Sequence, residues 1–359
     1  MCVCVSVYIA CLRLYYFCSH AGMMLRLEGL RRAGNPGGPT PLTAWTPEFW
    51  QQLTTGDSLS RFMRTSQAQS TQATYASQQR QYQTFCQLLG MHTPFACFQA
   101  DVLAAWVMGR SAHGYKLSTI EQGVHAVCSL ARQHGLHLSA SAAHVKTALR
   151  AASRAPGSTI SRKMPILLPT LQQLCDVDHA SWIAARDSAF YVLGWHGMLR
   201  GKEIAALHWG DIAVEQKGIV LLIRSSKTDQ AGQGQFVFLH SHADSRVCPV
   251  RSLHRLSCMT PSGLLTGPIF RTHQHACQQL SKSTMLTRLK HRLGAVGLPP
   301  QLFGLHSLRS GGATAAAQQQ VPERLIKIHG RWTSDTVRIY TCAVPEDRWS
   351  VSLAMGRAQ

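Results

Sequence analysis

Residues 306–340, HSLRSGGATAAAQQQVPERLIKIHGRWTSDTVRIY, decide how the whole chain is interpreted. His306 and Arg309 are three residues apart in a segment whose pattern predicts a helix, and side chains at that spacing project from one helical face. An imidazole and a guanidinium on one face can converge on one small anion. The segment therefore predicts an anion site in this part of the chain.

The remainder of this stretch predicts two further short helices. Pro322 fits the first turn of one of them, and Gly330 fits the left-handed position just beyond its end. Ser334–Asp335 offers the N-cap of the last helix, which contains Tyr340. Because cations, an imidazole, an indole and a phenol occur within 35 residues, the stretch indicates phosphoryl chemistry with a tyrosine nucleophile.

Length and composition limit the class of protein. The chain has 359 residues, which is enough for two domains with separate cores. It carries 36 Lys and Arg against 17 Asp and Glu, a formal net charge of +19, and such an excess favours nucleic acid as the partner. Its 12 cysteines include no CxxC pair, so we expect free thiols in a reducing compartment and no zinc ribbon or finger.

The sequence divides into five segments. The first, residues 1–46, is an apolar and then flexible extension whose apolar run is interrupted by Arg13 and is too short to span a bilayer. We therefore expect no membrane association and no secretion, with a location in the nucleus if the source is eukaryotic and otherwise in the cytoplasm. The others are a helical domain, a basic linker, a second domain and a tail, at residues 47–152, 153–169, 170–345 and 346–359.

The linker is broken by prolines and is basic. Arg154, Arg162 and Lys163 supply its positive charge, and an extended basic segment is suited to lie along a phosphate backbone. We therefore predict that these three side chains bind DNA if DNA is the partner.

The second domain combines helices with a few strands. Runs at Ile219–Arg224 and Gln235–His240 predict a hairpin, preceded by a strand near Ile212. The hairpin loop carries Lys227. The fold class expected for the chain is mainly α with a small antiparallel β-sheet.

In residue order the chain resembles the tyrosine recombinases, a phage-integrase-like family of DNA breaking and rejoining enzymes. The residues that carry the resemblance are Arg200 in LRGKE, Lys227 in SSKTDQ, His306 and Arg309 in HSLRSGG, Trp332 in HGRW and Tyr340 in RIYT. The resemblance covers the second domain and extends more loosely to the first. The SGG after the His-x-x-Arg motif is similar to that of recombinases carried by eukaryotic mobile elements.

The resemblance implies a fold and a partner. The first domain would be a helical core-binding domain of SAM-like fold, and the second an α+β catalytic domain of the integrase type. Together they would form a C-shaped clamp on double-stranded DNA, on which four copies of the chain would assemble.

The resemblance also implies a reaction that needs no metal ion, cofactor or ATP. Arg200 and Arg309 would hold the nonbridging oxygens of the scissile phosphate. Tyr340 would attack and form a 3′-phosphotyrosyl bond, with His306 as its base or proton relay. Lys227 would protonate the departing 5′-oxygen.

Two assignments in this scheme are less direct. Glu203 would orient Arg200 from three residues away, although such a spacing also suits an ordinary surface ion pair. Alignment of Gly330 places Arg331 at the family's His/Trp position and Trp332 one residue late. We favour Trp332, because an indole can pack and donate one hydrogen bond, and His329 and Arg331 stay as alternatives.

Two other functions fit the same residues less well. One is a DNA-binding protein that keeps the fold and has lost turnover, which the intact set of polar residues disfavours. The other is a type IB topoisomerase, which relaxes DNA and does not exchange strands. The expected two-domain clamp and the His-x-x-Arg spacing favour the recombinase.

Overall fold

The computed structural model describes residues 46–47, 51, 69–155, 163–177, 180–226, 229, 234–341, 353 and 355, with the backbone alone at 69, 70, 340 and 341. The described residues up to 155 belong to one compact unit, and those from 163 onward to a second. Nearly all of residues 1–46, most of the hairpin loop with Lys227, Arg162 in the linker, and most of the tail lie outside the described residues. No helix within the described ranges is both long enough and apolar enough to cross a membrane.

The first unit is a small helical bundle. Its described helices are α1 (Gln69–Leu88), α2 (Pro94–Cys97), α3 (Ala100–Ala112), α4 (Leu117–Gln133) and α5 (Ala143–Arg154). Helix α1 packs on α4, and α3 packs on α5. Tyr82 is fully buried at the centre, where its hydroxyl donates to the carbonyl of Cys97 at 2.6 Å and its ring meets Trp106 edge to face. This aromatic is therefore a core residue and not a base-stacking group.

The second unit surrounds a small sheet with helices. Its described elements are α6 (Leu168–Cys175), α7 (Trp182–His196), α8 (Gly201–Ala205), β1 (Ile212–Glu215), β2 (Gly218–Ile223), β3 (Gln235–His240), α9 (Pro249–Cys258), α10 (Lys282–Ala295), α11 (His306–Gln318), α12 (Glu323–Gly330) and α13 (Arg338–Thr341). The sheet is antiparallel in the order β1–β2–β3, with Ala213 opposite Val220 and Ile219 opposite Leu239. Strand β2 is buried along its whole length.

Helix α7 is the core element of this unit. It packs against α6, α9 and α11, and almost every side chain after its first turn is buried. Apart from Arg186, Asp187 and Ser188 its sequence is mostly apolar, which explains why it runs through the interior and not along the surface. Gly194 in α7 lets Leu308 of α11 approach closely, since an added Cβ there would come within 3.1 Å of a Leu308 methyl. The core helix therefore holds α11 in place.

Residues 163–167 pack within the second unit. The Met164 amide donates to the Leu302 carbonyl at 2.8 Å, and the Ile166 amide donates to the Ser307 carbonyl at 2.9 Å. Pro169 lies in the first turn of α6, where its missing N–H is not needed, so the proline is part of a helix and not of an extended linker. This part of the expected linker is thus a structural component of the second unit.

Gly311 lies directly against the backbone of Ile166. A methyl group at this position would overlap the carbonyl oxygen of Ile166, which also accepts the Trp195 indole N–H at 2.8 Å. Helix propensity alone would make Gly311→Ala stabilising by about 1 kcal/mol. We expect it instead to lower the free energy of unfolding by about 3 kcal/mol, because backbone must move to accommodate the methyl group.

Thermal unfolding followed by circular dichroism measures this effect. The expected loss corresponds to a melting temperature lower by about 6–12 °C. The matched control is Gly294→Ala in α10, where the new methyl would meet Pro300 at an ordinary 3.6 Å, and there we expect no loss. A Gly311→Ala protein that is as stable as the control would show that the two backbones are not in contact.

Candidate active site

Helix α11 carries the predicted His-x-x-Arg pair. Arg309 is 1% exposed, and its guanidinium donates a hydrogen bond to the carbonyl of Met198. The guanidinium carbon also lies 3.9 Å from the centre of the Trp332 ring. His306, at the first position of the helix, is exposed to solvent. The pair therefore places an accessible imidazole beside a rigidly held cation.

The turn after α7 directs a carbonyl group into the site. Met198 has a left-handed backbone with φ +44°, which is unusual for a residue with a side chain. Its carbonyl accepts hydrogen bonds from both Arg309 and, at 3.1 Å, Arg331. Backbone strain that two buried arginines stabilise is typical of a functional site.

Arg200 and Glu203 form a reciprocal pair at the start of α8. The Glu203 carboxylate accepts the Arg200 amide at 2.8 Å and its guanidinium at 2.7 Å. The Arg200 side chain keeps 22% of its surface exposed, whereas the Glu203 side chain keeps 3%. Burial acts to raise the pKa of Glu203, but the Arg331 and Arg200 cations outweigh it and hold the pKa below its usual value. The geometry thus agrees with an orienting role for Glu203.

The end of α12 differs from the sequence interpretation. The prediction that Gly330 has the left-handed conformation is wrong, because Gly330 is the last residue of α12 and Arg331 has the left-handed backbone, with φ +59°. Glycine is needed at 330 for a different reason. The Trp332 ring lies so close to it that any Cβ there would overlap the indole.

The three candidates for the His/Trp position have different surroundings. Trp332 stacks on Arg309, as described above. The His329 Nε2 makes a hydrogen bond of 2.7 Å with the carbonyl of His196. The Arg331 guanidinium is buried and binds Glu203 at 3.0 Å. Contact with Arg309 therefore favours Trp332, and the assignment stays a prediction.

His306 lies in a positive environment. Its pKa is lowered, first by partial burial of the ring and then by the nearby cations Arg309, Arg200 and Lys282. A neutral imidazole is therefore favoured at neutral pH, and a neutral imidazole can accept a proton.

The other predicted site residues are placed as follows. The backbone of Tyr340 lies in α13, which packs against α11, the helix of His306 and Arg309. Lys227 and Arg162 lie outside the described residues, so their proposed roles are untested. Arg154 is exposed in the last turn of α5, and the Lys163 ammonium donates to the carbonyl of Gln301.

Lys282 is a cation that the sequence interpretation missed. It is exposed at the start of α10, with its Cε 3.5 Å from the position of a Cβ on Gly201. It acts electrostatically on His306. No motif marks it in the sequence. Within the described parts of the chain, no group of three or more His, Cys, Asp or Glu side chains is arranged to hold a metal ion.

The sequence is similar to that of a known integrase/recombinase. The sequence is 28% identical over 281 residues to an integrase/recombinase XerD homologue of Selenomonas ruminantium, across 77% of this chain and 82% of that protein. The chain is similar to a XerD-like integrase/recombinase over most of its length. No protein-family model matches the chain.

Solved structures of tyrosine recombinases share the fold. A fragment of the Tn1549 transposon integrase in complex with transposon right-end DNA has a TM-score of 0.60 at 10% identity, covering 86% of this chain and 98% of that one. A lambda integrase dimer bound to a core site has a TM-score of 0.51 at 18% identity, covering 90% and 85%. The expected fold class of a tyrosine recombinase, mostly helical with a small antiparallel sheet, is confirmed.

Proposed function

We propose that this chain is a site-specific DNA recombinase or integrase that breaks and rejoins strands through a covalent bond to Tyr340. The observation that carries the proposal is the joint placement of Arg309, Arg200 and His306 around one turn of backbone, in a chain homologous to the tyrosine recombinases. The homologues with solved structures include enzymes bound to DNA, and the net charge of +19 suits the same partner.

The two arginines would bind the scissile phosphate. Arg309 is held by a carbonyl and an indole, and Arg200 is held by a buried carboxylate, so neither guanidinium needs to be ordered when DNA arrives. Preorganised cations stabilise the negative charge that develops on the phosphate oxygens as the nucleophile attacks. Trp332 would donate one further hydrogen bond to these oxygens from its indole N–H.

Proton transfer would involve two groups. The Tyr340 phenol loses its proton as its oxygen bonds to phosphorus, and the neutral imidazole of His306 is suited to accept it. The bond that breaks joins phosphorus to the 5′-oxygen, which leaves as a hydroxyl after protonation by Lys227. A second strand's 5′-hydroxyl then reverses these steps, and no ATP is consumed because the phosphotyrosyl bond conserves the bond energy.

Covalent trapping tests the proposal. The target sequence is unknown, so the first probe is a pool of nicked duplexes with a randomised central segment, supplemented by duplexes made from the genomic flanks of the coding sequence. Protein–DNA adducts are separated on a denaturing gel, and their DNA is sequenced to give a defined substrate. An adduct supports the proposal, whereas DNA binding without any adduct supports the silent DNA-binding protein. Supercoil relaxation without joined products supports the topoisomerase.

The pH dependence of adduct formation should report His306. Because the pKa of His306 is lowered, the rate should stay constant at neutral pH and fall only below about pH 6.5, the usual pKa of histidine. We expect His306→Gln to slow the reaction about 100-fold and to remove this acid limb, since the base is gone. The measurement is the single-turnover rate from pH 5 to pH 8.

The control for this prediction is His291→Gln, because His291 is an exposed histidine of α10. This variant should keep both the wild-type rate and the fall in rate at acidic pH. Retention of the limb in His306→Gln would assign the titration to another group.

A further inference from the structure

Arg331 uses four hydrogen bonds within the protein interior. One terminal nitrogen donates to the carbonyls of His329 and Gly197 at 2.9 and 3.2 Å, and the other donates to the Met198 carbonyl and the Glu203 carboxylate at 3.1 and 3.0 Å. Its side chain is 3% exposed, equal to that of Glu203. The third nitrogen, Nε, is also buried and has no partner among the described residues. The four N–H groups on its terminal nitrogens are therefore all used by acceptors within the protein.

Two of these partners also hold the phosphate-binding arginines. Glu203 binds the guanidinium of Arg200 at 2.7 Å through its other oxygen. The Met198 carbonyl accepts the guanidinium of Arg309. Arg331 is thus one hydrogen-bonded group away from each cation.

We infer that Arg331 is a positioning residue, which fixes Arg200 through Glu203 and Arg309 through the Met198 carbonyl and does not contact the DNA phosphate. This inference rests on the proposed function and adds to it. Arg331 aligns with the family's His/Trp position, and here that position has a structural role and makes no phosphate contact. The phosphate contact is made by Trp332.

The geometry explains why arginine is suited to this position. A planar guanidinium can donate in four directions at once, whereas a lysine ammonium has three donors on a flexible stem. Without Arg331, Glu203 would be a buried carboxylate with only Arg200 as a countercharge, and the strained Met198 turn would lose one of its two donors. Such a network fails as a unit, because each member orients the next.

The test compares four proteins on the substrate recovered by covalent trapping. They are Arg331→Gln, Arg331→Lys, Glu203→Gln and the double variant Arg331→Gln/Glu203→Gln, with Arg324→Gln as the matched control on the exposed face of α12. DNA affinity is measured separately from the single-turnover rate of adduct formation at saturating DNA. Thermal unfolding establishes the temperature at which each variant is folded.

We expect Arg331→Gln to slow the chemical step about 100-fold while DNA affinity changes less than about threefold, since the loss is one of geometry and not of a DNA contact. Arg331→Lys should recover part of the rate that Arg331→Gln loses, about one-third when the loss is expressed as the logarithm of the rate. In the Glu203→Gln background, Arg331→Gln should cost clearly less than the full loss of about 100-fold, because the connection through Glu203 is already broken and only the one through the Met198 carbonyl is left to lose. The Arg324→Gln control should match the wild type.

The pH profile gives a readout that a purely structural role would not change. The charged groups that face Glu203 are Arg200 and Arg331, and those that face Arg331 are Glu203, Arg200 and His329. Removing Arg331 leaves burial to raise the pKa of Glu203, so protonation would release Arg200 at a higher pH. Arg331→Gln should therefore show a second fall in rate at acidic pH, from Glu203, which the double variant Arg331→Gln/Glu203→Gln lacks.

Several results would overturn the inference. A wild-type rate in folded Arg331→Gln would do so, and so would a full additional loss in the Glu203→Gln background, which would indicate a separate phosphate contact. If Arg331→Gln does not fold, the comparison is made with Arg331→Lys and with the double variant, which has no unpaired carboxylate. The absence of an adduct with wild type would instead reject the proposed function, and this inference with it.

Discussion

Replacing Tyr340 with phenylalanine should abolish the covalent adduct, with a loss of at least about 1,000-fold, while DNA affinity stays unchanged. The change removes one oxygen, which is the atom that bonds to phosphorus in the proposed reaction. Tyr340 lies in α13, a short helix packed against the helix of His306 and Arg309, so its backbone is already beside the other proposed groups. The measurement is adduct yield on a denaturing gel, with affinity from a native gel.

The control for this prediction is Tyr115→Phe, a half-exposed tyrosine of the first unit that stacks on Arg110. It should form adduct at the wild-type rate. An adduct with Tyr340→Phe would move the nucleophile to another residue, which peptide mapping of the labelled adduct would identify.

Replacing Arg309 with lysine should reduce the rate of adduct formation about 100- to 1,000-fold, although the charge is conserved. The planar guanidinium of Arg309 stacks at 3.9 Å on Trp332 and donates to the Met198 carbonyl, and both contacts fix its orientation. An ammonium cannot stack in this way and has no second parallel donor. We therefore expect the effect in the chemical step and only a small change in DNA affinity.

Arg251→Lys is the matched control, because Arg251 is an exposed residue of α9. It should react like the wild type at low and moderate salt. If Arg309→Lys also reacts like the wild type, charge alone is sufficient at this position. The stacked arrangement would then have no role in the reaction.

Much of the second unit was predictable from local patterns. The two strands that flank the Lys227 loop occur where periodicity and turn residues place them. A proline near a helix boundary makes the first residue of the helix hard to predict from sequence. Pro169 was interpreted as a helix breaker, but it occupies a first turn, and local sequence does not distinguish these two uses.

The candidate site was predictable as a set of residue types and not as a set of contacts. Sequence order identified Arg200, His306 and Arg309, because chemistry restricts which side chains can hold a phosphate. It did not reveal that the Met198 carbonyl binds both Arg309 and Arg331, since any residue supplies a carbonyl and only the left-handed backbone turns this one inward. The direction of Arg331 was equally hidden, because its partner Glu203 is far away in sequence.

The close contact at Gly311 has a consequence for how this protein can change over evolution. Helix α11 bears Arg309 and, two residues later, the glycine that meets the Ile166 backbone. A substitution that loosens this packing would also displace the cation, so selection for folding and selection for catalysis act on the same turn. New target specificity should therefore arise through substitutions elsewhere, on surfaces whose variation does not disturb this turn.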